Sequence, residues 1–321
     1  MYQGGPNPSK VQVTPAYKRA NPPPPLVLIH DGGGTTFGYF VLGNLGREVW
    51  AIHNPNYWSG EAFEGGMDGM ATKYIEYMYK EGIKGTIMLG GWSLGGYLSL
   101  AVANMLAKDP DAKIKIAGII MMDTPYHVPR AQLTDAVDDP EIPGIPEQVQ
   151  KAFDRCDEML EHWEVPKYDA PACDGKTVFF GVGGRRYTVT PGHTLYKPVG
   201  GTWRPIDTTP YKPTEAVDKP ISPPPTVLIK CVKSMPLPAG REENFLIDKY
   251  RDERLLGWED KYPDFIKAVI DFDSDHYNMF DKDNNDSMKK LTGNLTEALE
   301  ILGSIGGAGR APAAGRSLDF F

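Results

Sequence analysis

An α/β fold, with a mostly parallel central sheet and helices on both faces, is predicted by three features of this sequence. Short apolar runs alternate with segments of helical periodicity through the first 127 residues, the pattern of a parallel sheet covered on both sides. One of those runs passes through a glycine turn straight into a helix, between Thr86 and Tyr97. Two more apolar runs, Thr226 to Val232 and Phe265 to Phe272, follow a long interruption and lead to a closing helix.

Taken in order, residues 1–24 are polar and end in the stiff run Pro22 to Pro25, and they read as a flexible leader. Leu26–Ile29 is a buried strand. It opens into His30-Asp31-Gly32-Gly33-Gly34, a loop able to aim several backbone N–H groups at one point. Glu48 to His53 is the next strand, stopped by Asn54-Pro55. Met67, Ala71, Tyr74, Ile75 and Met78 fall on one face of a helix that ends at Gly82. Ile87 to Leu89 is a strand, and Leu98, Ala101, Val102, Met105 and Leu106 mark the helix behind it, ended by Asp109-Pro110. Ile116 to Met122 is a strand with Asp123 at its end.

The pattern breaks at residues 128–225, which read as a lid inserted into the core. Val149, Ala152, Phe153, Cys156, Leu160 and Trp163 predict a helix starting at Pro146. Thr177 to Phe180 and Arg186 to Thr190 predict a hairpin about Gly183-Gly184, and a proline-rich passage follows. The core, begun over residues 25–127, is completed by 226–303. Residues 304–321, rich in glycine and alanine, read as a flexible tail.

Composition narrows the function. A formal net charge of −8 argues against nucleic acid or an anionic membrane as the main partner. The odd, scattered cysteines Cys156, Cys173 and Cys231 predict free thiols in a reducing compartment and no metal site. No apolar run is long enough to span a bilayer, and Met1 to Pro25 does not resemble a signal peptide. The expected location is cytoplasmic, with no cofactor.

The chemistry centres on Gly91-Trp92-Ser93-Leu94-Gly95, a G-x-S-x-G turn between strand and helix. Such a turn lifts the serine hydroxyl clear of the sheet edge, and its glycines let strand and helix pass closely. A serine hydroxyl needs a neighbouring base. Of the six histidines, His276 alone follows the last strand, matching the chain order nucleophile, acid, histidine. Asp123 is the preferred acid, since Cys231 to Pro236 offers no carboxylate behind the next strand; Asp275 and Asp248 are weaker candidates. The N–H groups of Leu94 and Gly32 are the expected oxyanion hole.

Four places give a family resemblance: Leu28-Ile29-His30-Asp31-Gly32-Gly33-Gly34, Gly91-Trp92-Ser93-Leu94-Gly95-Gly96, Met122-Asp123-Thr124-Pro125, and Leu256-Gly257-Trp258 with Asp275-His276-Tyr277-Asn278-Met279. In these the sequence resembles the α/β-hydrolase-fold thioesterase domains of polyketide synthases and nonribosomal peptide synthetases, fungal members among them. The resemblance implies an acyl thioester substrate on the phosphopantetheine of an acyl carrier protein or peptidyl carrier domain. It also implies an acid on the strand directly after the elbow helix, and a lid between that strand and the next. The competing readings are a carboxylesterase or lipase acting on oxygen esters, and a non-catalytic binding protein of the same fold.

Overall fold

Four consecutive apolar residues, Leu26–Ile29, form a strand buried on both faces (β2), as expected of a parallel strand between two helix layers. Val49–Ile52 (β3) and Thr226–Cys231 (β10) are buried throughout in the same way, as is nearly all of Ile266–Phe272 (β11), and Gly85–Trp92 (β4) and Ile114–Met122 (β5) are buried over their C-terminal parts. In this computed structural model, residues 5–133, 142, 144–210, 220–237, 240, 244–259 and 261–305 are described. With Ser9–Gln12 (β1), His193–Lys197 (β8) and Arg204–Asp207 (β9), the central sheet has nine strands among the described residues, in the order β1-β3-β2-β4-β5-β10-β11-β8-β9. From β3 to β8 all neighbours are parallel, and the two outermost strands run antiparallel to their partners.

Alternation along each strand separates two core layers. Val27, Ile29 and Ile52 face the layer that holds α2 (Gly66–Lys80) and α3 (Leu94–Lys108). Leu26, Leu28, Val49 and Ala51 face the other layer, closed by Leu291, Leu295, Ala298 and Leu302 of α5 (Asn285–Ile305). The short helix α1 (Phe37–Phe40) contributes Tyr39 to this second layer.

Two expectations change. Within the stretch read as a leader, Ser9–Gln12 forms an antiparallel edge strand (β1) on β3. It carries no apolar run because an edge strand is half solvated. Polar groups tie it down instead: the Asn7 side chain donates to the His53 carbonyl at 2.8 Å, and the Lys10 ammonium lies 4.3 Å from the Trp50 ring centroid.

The block 128–225, read as one lid, divides. His193–Lys197 (β8) pairs with β11, and Arg204–Asp207 (β9) pairs with β8, so these residues extend the sheet. The edge position again explains why the sequence hides them. The hairpin of Val178–Val182 (β6) and Arg185–Val189 (β7) forms as expected. It rests on the C-terminal half of α5, where the Gly181 N–H donates to the Ser304 hydroxyl at 3.1 Å. Helix α4 (Glu147–Leu160) is the part that reaches the loop after β2. Residues 211–219 of the proline-rich passage and 306–321 of the expected tail lie outside the described residues.

Candidate active site

Strand β4 ends at Trp92, and Ser93 takes φ 54°, a left-handed conformation costly for any residue but glycine. Three contacts hold it there. The Ser93 N–H donates to the Met122 carbonyl at 2.9 Å, and the Ser93 carbonyl accepts from the Thr124 hydroxyl at 3.0 Å. The Trp92 N–H donates to the Tyr39 hydroxyl at 3.1 Å. The flanking glycines are required by crowding. A Cβ on Gly91 would run into the Gly95 backbone, and one on Gly95 into the Ile29 carbonyl.

Asp123 stands one residue past β5 and also has positive φ, 46°. Its N–H donates to the Ile229 carbonyl of β10 at 2.7 Å. The carboxylate is fully buried, and four donors converge on it. The His276 Nδ1 lies 2.8 Å from Oδ2. The Arg251 guanidinium grips both oxygens, at 2.6 Å and 2.9 Å, and the Cys231 N–H donates to Oδ1 at 2.8 Å. Burial alone would raise the Asp123 pKa. The His276 hydrogen bond and the Arg251 charge outweigh it and hold the group at about 2, well below the usual carboxylate range. Such a carboxyl adds stability that is complete above the unfolded-chain value of about 3.9 and is lost as pH falls toward 2. The expected result is a melting temperature that drops below about pH 4, with a share on the order of 2 kcal/mol from this group. An acid melting series on the wild type and on Asp123→Asn checks it, since the variant lacks that share.

Ser93, Leu94, Gly32 and His276 line one cavity of about 110 Å³. The His276 ring packs against Trp92, with centroids 5.5 Å apart, and edge-on to Tyr277 at 5.0 Å. Leu94 is the first residue of α3, so its N–H has no acceptor within the helix. Across from it, the loop after β2 is anchored at several points. The His30 N–H donates to the Ile52 carbonyl at 3.0 Å and the Gly34 N–H to the Asp31 carbonyl at 3.0 Å. The His30 ring bridges the Asp31 carbonyl and the Tyr74 hydroxyl, and burial lowers its pKa to about 4. It is a neutral anchor. The Asp31 carboxyl is buried beside this loop, and burial raises its pKa to about 7. Gly32 is the glycine of this loop that lines the cavity. Phe153 and Cys156 of α4 sit where a Gly32 side chain would go, at 3.2 Å and 3.4 Å from a Cβ built there.

The weaker acid candidates have other work. The Asp275 carboxylate caps a turn, accepting the N–H groups of Tyr277 and Asn278 at 3.1 Å. Asp248 is buried and accepts from Arg251 Nε at 2.8 Å and from the Met235 N–H at 2.7 Å. The Leu256-Gly257-Trp258 motif supports the end of β5. Its indole donates to the Thr124 carbonyl at 2.8 Å, and the Leu256 carbonyl accepts the Tyr126 N–H at 2.7 Å. Arg251 is absent from the sequence-based site. The only local signal is its i, i+3 spacing from Asp248, which ends a single 3-10 turn at Leu246–Asp248.

The thioesterase domain family matches residues 24–167. A probable thioesterase of Curvularia clavata is 41% identical over 283 residues, covering 88% of this chain and 91% of its own length. The chain belongs to the thioesterase family. A probable thioesterase of Purpureocillium lilacinum is 44% identical over 290 residues, covering 88% of this chain and 90% of its own. Among solved structures, the NocB thioesterase domain from the nocardicin cluster aligns with a TM-score of 0.48 and 15% identity, over 86% of this chain and 94% of that one. This thioesterase has the α/β-hydrolase fold, with the serine turn after β4 and the parallel sheet around it. Among the described residues, no helix is long and apolar enough to cross a membrane.

Proposed function

We propose that this thioesterase releases a polyketide or peptide acyl chain from the phosphopantetheine of a carrier protein through an acyl-Ser93 intermediate. The observation that carries the reading is the His276–Asp123 hydrogen bond, with the imidazole in the cavity that Ser93 also lines. Asp123 holds the Nδ1–H tautomer, which leaves Nε2 to act as base. In the first step His276 takes the Ser93 proton, and Oγ bonds to the thioester carbon. The negative charge on the carbonyl oxygen is met by the N–H groups of Leu94 and Gly32. The C–S bond then breaks, and the imidazolium gives its proton to the departing thiolate. In the second step water, or a hydroxyl or amine of the chain itself, loses its proton to His276 and attacks the ester. The C–O bond breaks and Ser93 regains its proton. The scheme uses no cofactor and fits a cytoplasmic enzyme.

The polyketide and peptide assignment rests on the sequence motifs of the elbow, the early acid and the Asp275-His276-Tyr277-Asn278-Met279 run. It is tested by comparing an acyl-pantetheine thioester, the same acyl group on a carrier protein, and a nitrophenyl ester. The expected result is a preference for the thioester that grows when the carrier is attached, with product mass reporting hydrolysis or ring closure. Preference for the oxygen ester and indifference to the carrier would instead make the enzyme an ordinary esterase.

A further inference from the structure

We infer that Arg251 is a positioning residue for the reaction, clamping Asp123 in the orientation that serves His276 and tying it to the segment that walls the acyl cavity. The inference rests on the proposed function above. Its geometry is specific. The guanidinium makes two bonds to Asp123, one to the Cys231 carbonyl at 2.8 Å, and one to Asp248. It is 3% exposed, Asp248 is 1% exposed and Asp123 is fully buried. Buried ion pairs of this kind contribute little net stability over apolar residues of similar size, so stability alone is a weak reason for the arrangement.

Charge gives a stronger one. Asp123 and Asp248 supply two negative charges and Arg251 one positive, so the buried group holds one negative charge in excess. The imidazolium formed on His276 during the reaction cancels that charge. Without Arg251, the Asp123 and Asp248 carboxylates would lose the buried cation that bridges them, and Asp123 would lose two of its four donors. Other groups near this cluster are Cys231 and Lys230 of β10, Tyr97 of α3, and Asp275 beside His276. Of these, Cys231 also bonds Asp123, but it is uncharged and its N–H reaches Oδ1 only; Arg251 brings a positive charge to both oxygens.

The clamp also reaches the cavity wall. Leu246, Ile247, Lys249 and Tyr250 come from the same short segment as Asp248 and Arg251, and they line the cavity with Ser93 and His276. Asp248 holds the Met235 N–H, and the Lys230 ammonium holds the Glu253 carbonyl at 2.6 Å, so the segment is fastened on both sides of Arg251.

The experiment measures fluorophosphonate labelling of Ser93, and thioester turnover across pH, for the wild type, Arg251→Met and Arg251→Lys. The wild type must label for the proposed function to stand, so the failure of that reading shows separately. In Arg251→Met, kcat and the labelling rate are expected to fall by about 10²-fold, with KM within about twofold. The acid limb of the profile is expected to move up by roughly one pH unit, because removal of the positive charge favours the protonated, inactive enzyme. Arg251→Lys keeps the charge but cannot bridge both oxygens and the Cys231 carbonyl. It is expected to lose about tenfold in kcat and to keep the wild-type acid limb. If Arg251→Met does not fold, the lysine variant decides. Labelling and kcat within about twofold of wild type, or a raised KM with unchanged kcat, would overturn the inference and leave Arg251 as a support for the cavity wall.

Discussion

Ser93→Ala is expected to abolish thioester turnover and covalent labelling, a loss of about 10⁶-fold in kcat, while leaving the melting temperature within a few degrees of wild type. In the proposed mechanism the hydroxyl makes the bond to the acyl carbon, whereas the contacts that hold the turn are made by the backbone. The contacts that fix the turn run through the Ser93 backbone: its N–H to Met122 and its carbonyl to Thr124. Alanine keeps both. It also keeps the positive φ at much the same cost as serine, since both carry a Cβ. The decisive measurement pairs single-turnover kinetics on a carrier-bound acyl chain with a thermal melt. Residual turnover close to wild type in a folded variant would remove Ser93 from the chemistry.

The second large effect is expected at Asp123. Asparagine there should lower kcat by about 10⁴-fold, and the structure indicates why the damage would exceed a lost charge. The carboxylate accepts from His276, from both Arg251 Nη atoms and from the Cys231 N–H. An amide offers a single acceptor oxygen and puts an NH₂ group against donors. Whichever way it turns, donors are left facing donors, and the His276 tautomer is no longer fixed. Arg251 would keep Asp248 as its only carboxylate, so stability should also drop, by about 3 kcal/mol on the scale of a broken buried pair. Kinetics taken well below the lowered melting transition separate the two losses. A folded variant with a near-normal rate would mean that Asp123 is not the acid.

Much of this was legible in the sequence because the relevant constraints are local. The elbow shows itself through Gly91 and Gly95, where no side chain fits, and through Ile87 to Leu89 leading into it. Asp123 and His276 are readable because each follows directly on an apolar run, and the edge of the sheet brings such positions together. What stayed hidden lies where burial is one-sided or chain geometry is irregular. Strands β1, β8 and β9 sit at sheet edges, half solvated, and carry few apolar residues. Arg251 lies in a run of turns between β10 and β11, where no apolar period marks which side chain is buried. Asp248 and Asp275 could not be told apart as acids until their partners were seen: one faces a guanidinium, the other its own turn.

The backbone bonds at the strand tips set the spacing of nucleophile and acid. Ser93 is pinned to the end of β5 and Asp123 to β10, so the gap between them follows from neighbouring strands lying about 4.8 Å apart. It is not set by the 105 residues of the interval 124–228, which separate Asp123 from Ile229. The cavity-facing part of that interval, α4, can therefore change its lining residues without altering this spacing, provided Thr124, β8 and the β5–β10 pairing are kept. Reshaping this thioesterase for a different cargo becomes a matter of swapping upholstery on a fixed frame.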